Sequence, residues 1–74
     1  MPTGRYRITD STIALFDEDG HDAAHMVPTG TIITIDRAVL DADKLIDVMW
    51  GNQKIMMFAQ DLRSRAELVK ATSK

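Results

Sequence analysis

His21 and His25 stand four residues apart, with Asp22 between them. On a helix that spacing would set both imidazoles on one face, ready for a metal ion. Gly20 and Pro28 bracket the segment, however, so it reads as a turn followed by a strand. Residues four apart on a strand share a face but lie about 13 Å apart, too far to hold one ion together. The expectation is therefore a solvated His21, a half-buried or interfacial His25, and no metal site. If an interface covered His25, it would respond to pH. Asp17, Asp19 and Asp22 around Gly20 have the look of an oxygen-ligand calcium loop. The twelve-residue calcium pattern needs a glutamate as its last ligand, and none is in place. Ser11, Ser64 and Ser73 have no nucleophile elbow around them. The four glycines, at 4, 20, 30 and 51, are isolated and build no phosphate loop. With no cysteine, thiolate metal sites and thiol catalysis are excluded. No catalytic residue, metal ligand or cofactor is assigned from the sequence.

Two other sets of side chains can do work of a different kind. Tyr6, Met49, Trp50, Met56, Met57 and Phe58 concentrate aromatic rings and thioethers, which suit adaptable partner contacts. Within them Tyr6, Trp50, Met56 and Phe58 are the expected partner-binding residues. Arg5 and Arg7 near the start, and Arg63, Arg65, Lys70 and Lys74 near the end, would form a basic patch if the two ends meet. The total charge is nevertheless −2, from nine basic and eleven acidic residues, whereas nucleic-acid binders of this size usually carry a net basic face.

Short strands must position these groups. Arg5–Thr9 alternates, with Tyr6 and Ile8 on one side, and Thr12–Phe16 is a second short run. Asp19-Gly20 suits the positive φ angles of a tight hairpin and leads to Ala23–Val27, which Pro28-Thr29-Gly30 ends. Thr31–Asp36 is the clearest strand, with β-branched residues at five of its six places. Arg37–Asp43 reads as a loop with a helical turn at Ala38–Leu40. Lys44–Trp50 and Gln53–Phe58 flank Gly51-Asn52, the strongest hairpin signal in the chain. Its register sets Trp50 near Gln53 and Val48 near Ile55. After Phe58 two readings stay open. Ala59, Leu62, Ala66 and Val69 recur at helical spacing, giving an amphipathic helix over Ala59–Lys70. Alternatively Ala59–Leu62 is one 3₁₀ turn, and Ala66–Val69 is a last strand.

Pro28–Ile35, a glycine turn into a β-branched strand, resembles the bacterial SH3 (SH3b) domain. Leu45–Leu62 resembles the distal hairpin and 3₁₀ turn of SH3 folds. The resemblance implies a mainly β chain, a small SH3-like barrel of about five to six short strands. A short 3₁₀ turn or C-terminal helix follows Phe58, and residues 1–74 make one domain. The Asn-Val-Arg-rich opening segment and the later Gly-Trp pair of SH3b domains are absent, so the family's cell-wall ligands are not implied. Phe58–Arg63 is also similar to the end of short bacterial proteins of this size.

The expected function is a non-enzymatic interaction module that binds a protein or peptide partner or associates with itself. A nucleic-acid-associated barrel, with Arg5, Arg7, Arg63 and Arg65 around Trp50, is the alternative. An oligomeric enzyme with a pore between subunits is the third reading. Type B dihydrofolate reductases are enzymes of that design, but their Val-Gln-Ile-Tyr segment has no equivalent here, Ile55–Phe58 being the nearest stretch. No apolar run approaches the ~20 residues of a membrane span, and the start lacks a signal-peptide layout. A cytoplasmic chain is expected.

Overall fold

A computed structural model describes residues 1–69 of the 74. Lys70, Ser73 and Lys74, and the end of the helix drawn over Ala59–Lys70, lie outside the described residues. Seven strands and one helix follow one another as β1 (Gly4–Ile8), β2 (Thr12–Glu18), β3 (His21–Val27), β4 (Ile32–Ile35), β5 (Leu45–Trp50), β6 (Gln53–Phe58), α1 (Ala59–Arg65) and β7 (Ala66–Leu68). Local chemistry fixes both two-residue hairpins. Asp19 (φ 55°) and Gly20 (φ 84°) take the two positive-φ positions between Glu18 and His21, as a type I′ turn demands. Asp17 steadies that turn by accepting the Gly20 N–H at 3.1 Å. Gly51 (φ 61°) takes the first central position between Trp50 and its partner Gln53, the place where a II′ turn wants glycine.

All pairings are antiparallel, in the order β3-β2-β6-β5-β4-β1-β7. The chain is therefore mainly β, as the strand-forming runs imply. The expected closed barrel is not what the sheet shows. Among the described residues it is open, with β3 and β7 as its two edges. It also holds seven strands rather than five to six. Alternation along the strands sends Tyr6 and Ile8, Ala14, Val27, Ile33 and Ile35, Ile46 and Val48, and Ile55 and Met57 to one buried face. Among the described residues only a seven-residue helix accompanies the sheet. A core of this depth therefore requires the sheet to coil over its own inner face.

The segment after Phe58 combines the two expected forms. It is a true α-helix of seven residues, longer than one 3₁₀ turn and shorter than Ala59–Lys70, and a strand follows it. Ala59 and Leu62 anchor the helix in the core, and Asp61 and Arg63, Arg65 match the polarity of its two ends. It stops where pairing with β1 takes over: Ala66 lies opposite Ile8, and Tyr6 opposite Leu68. The Val69 N–H continues the ladder to the Arg5 carbonyl at 2.9 Å. The helical spacing of Ala66 and Val69 thus belongs to an extended segment. The Arg37–Asp43 loop carries no helical turn at Ala38–Leu40. It is held instead by buried Val39, whose N–H donates to the Met1 carbonyl at 2.8 Å.

A candidate interaction surface

The sheet's outer face carries the side chains that the core does not use. Leu45 lies opposite Phe58, and Ile13 lies opposite Met26. The β2–β6 register pairs Ala14 with Met57 and Leu15 with Met56; one step further, it brings Ile13 beside Phe58. A single apolar row therefore crosses four adjacent strands, from Leu45 through Phe58 and Ile13 to Met26. Exposure rises along it, at 39%, 43%, 44% and 58%. A second row, of half-buried Met56 and Leu15, lies beside it. Scattered exposed apolar residues are ordinary, but an aligned row is the kind of patch that marks a contact site.

Two hollows flank the row. One, of about 460 Å³, lies between Phe58, Lys44, Asp43 and the helix residues Gln60, Asp61 and Arg63. The other, of about 210 Å³, is lined by Ser11, Thr12, Ile13, Met26, Asp61 and Arg65. Asp61 borders both. At the first hollow the Asp43 carboxylate accepts the Leu40 N–H at 2.8 Å and faces Arg37 at 3.4 Å. The backbone donor above all, then the charges of Arg37 and Arg63, hold the carboxyl below its ordinary 3.8.

The four expected contact residues do not share one surface. Met56 and Phe58 belong to the outer rows, Met56 half-buried and Phe58 exposed. Tyr6 is in the core, where its hydroxyl donates to the Pro2 carbonyl at 2.7 Å. Burial pushes its phenol above the ordinary 10.0. Trp50 lies on the inner side, half-buried and packed against the core. Its ring meets Phe16 edge-on, with centroids 5.9 Å apart. Phe16 in turn meets His25 at 5.1 Å. Outer-face membership follows from strict alternation on β6, which sends Ile55 and Met57 inward and Met56 and Phe58 outward.

Ile13, Leu45 and Met26 complete the row and were not among the expected contacts. Counting back from the two turns pairs Ile13 with Met26 and Leu45 with Phe58. That β2 lies against β6, joining the two pairs, carries no local signal.

Of the four arginines Arg5, Arg7, Arg63 and Arg65, three make side-chain contacts within the chain. Arg7 bonds Glu67 across β1 and β7 at 3.1 Å, Arg65 faces Asp10 at 3.5 Å, and Arg63 donates to the Leu40 carbonyl at 2.9 Å. Arg5 and Arg7 lie on the outer side of β1, whereas Trp50 is on the inner side of β5, so the four arginines do not gather around it. His21 and His25 are both on β3, and His25 Nε2 lies 2.7 Å from Glu18 Oε2, about half of its side chain exposed. Among the described residues no helix is long and apolar enough to cross a membrane. No protein-family model, curated protein or solved structure matches the chain.

Proposed function

We propose that this chain is a non-enzymatic interaction module whose outer sheet face docks a protein or peptide partner. The observation that carries the reading is the apolar row Leu45, Phe58, Ile13, Met26 with its flanking hollows. A polar rim around an apolar strip is the usual anatomy of such a contact, and here Asp61 and Asp43 supply the rim. An SH3-like relationship within a cytoplasmic protein is part of the same proposal. The first strand beside the last, a long hairpin between β1 and β4, and a short helix before β7 support it.

Selection of peptides from a random display library on the immobilised chain tests the docking face. Phe58→Lys or Ile13→Lys should weaken the selected peptides by about ten-fold or more while the fold is retained. Ile32→Lys is the control, since Ile32 is similarly exposed, at 39%, but lies off the row on β4. Equal losses for all three variants, or no peptide selected, would refute the docking face.

A further inference from the structure

Strand β3 is an edge, and its outward backbone is ordered for a further strand. Glu18 and His21 close the hairpin, and a two-residue turn closes on a hydrogen-bonded pair. Alternation then directs the N–H and C=O of His21, Ala23, His25 and Val27 towards β2. Those of Asp22, Ala24 and Met26 point the other way, where no strand of the described residues pairs with them. The strand has seven residues and contains no proline or lysine of the kind that blunts an edge.

The same three residues present their side chains on the outer face. Met26 is the most exposed member of the apolar row, which therefore runs to the very edge. At the other end Asp22 lies directly opposite Asp17. Like charges placed opposite one another across a sheet destabilise it. Glu18 and Asp19 add to the negative charge of this hairpin tip.

We infer that β3 takes an extended peptide segment of a partner as an added antiparallel strand, apolar opposite Met26 and basic opposite Asp22. Read from its N-terminus, such a strand has an apolar residue, then a small or branched one two places on, then Lys or Arg two places further. Backbone hydrogen bonds to Asp22, Ala24 and Met26 give affinity, and the two end positions give register. A second copy of this chain fits the edge poorly. Two-fold pairing keeps each face with itself, so its registers set Asp22 against Asp22, Ala24 or Met26, and never against a histidine. The inference rests on the docking function proposed above, and it specifies the partner's conformation and charge.

The probe is the synthetic peptide acetyl-Thr-Leu-Thr-Val-Thr-Lys-Thr-amide, titrated against the isotope-labelled chain by NMR. Its Leu is designed to meet Met26, its Val Ala24 and its Lys Asp22. The expected result is saturable shifts of the Asp22, Ala24 and Met26 amides. N-methylation of the Val should weaken binding by about ten-fold or more, because it removes a hydrogen bond at the edge and adds a clash. N-methylation of the Thr before that Val, whose N–H faces solvent, should change it little. Asp22→Lys should weaken the Lys peptide about five-fold and favour the peptide with Glu in its place. The same variant should raise Tm slightly, since it converts a repulsive cross-strand pair into an attractive one. No binding at millimolar peptide, or indifference to N-methyl-Val, overturns the inference. Sedimentation showing a dimer that Ala24→Pro dissociates also overturns it, because a second copy then holds the edge. Display-selected peptides that ignore backbone methylation but are lost on Phe58→Lys leave the outer face as the docking site and end the edge reading.

Discussion

Met56 and Met57 are neighbours on β6 with opposite surroundings, so they measure which face of the sheet is the core. Met57 is fully buried opposite Ile46 and Ala14, whereas Met56 is half-buried opposite Asp47 and Leu15. Truncating each to Ala removes the same atoms from the same strand, so changes in strand propensity and in the unfolded chain largely cancel. Met57→Ala loses the transfer free energy and leaves a cavity, together about 3 kcal/mol. A domain of this length has a total stability of roughly 4 to 11 kcal/mol. At about 4–8 °C per kcal/mol for this size, Tm falls by about 12 to 24 °C. Met56→Ala opens no enclosed cavity and costs about 1 kcal/mol or less, under about 8 °C. Urea titration with circular dichroism should place the Met57→Ala midpoint well below that of Met56→Ala, with similar slopes. Equal losses would remove the distinction between the faces, and a larger loss for Met56→Ala would show that they are assigned the wrong way round. The apolar row through Phe58 would then be core, and the docking proposal would fall with it.

Tyr6→Phe removes the hydroxyl that donates to Pro2 and should cost about 1 kcal/mol. The wild-type phenol is raised by burial above its ordinary 10.0. Its contribution is therefore complete below that value and is lost as pH climbs through the raised folded value. Stability measured from pH 9 upward should decline more steeply in the wild type than in Tyr6→Phe, and parallel curves would contradict this. The Asp43 carboxyl, held down first by the Leu40 N–H, should titrate below 3.8 in a carbon-detected NMR series. Its contribution is present above the unfolded value and disappears as pH falls through the lowered folded one. Arg37→Ala should raise the midpoint only in part, because the backbone donor remains; complete restoration would make Arg37 the main cause.

Strand positions were largely legible because alternation and turn chemistry are local. Gln53–Phe58 is observed with the expected bounds, and Val48 pairs with Ile55 as the Gly51-Asn52 turn requires. The tail was less legible. Ala59, Leu62, Ala66 and Val69 have helical spacing throughout, but β1 offers Ala66 a ladder of hydrogen bonds that a helix would forgo. The contact residues divided for a related reason. Aromatic or thioether character suits a core as well as a surface, so residue type alone did not separate Tyr6 and Trp50 from Met56 and Phe58.

By itself the sequence determined the two hairpins, since Asp19-Gly20 and Gly51 are at the positions where positive φ is needed. It also determined which residues of each strand share a face, because the period of a strand is two. Tertiary structure decided the neighbours: β2 against β6, β1 between β4 and β7, and β3 left at the edge. Those choices depend on apolar burial summed over the whole chain, a sum that no local stretch contains. They turned Ile13–Met26 and Leu45–Phe58, two separate pairs in two hairpins, into one row that ends at an open strand.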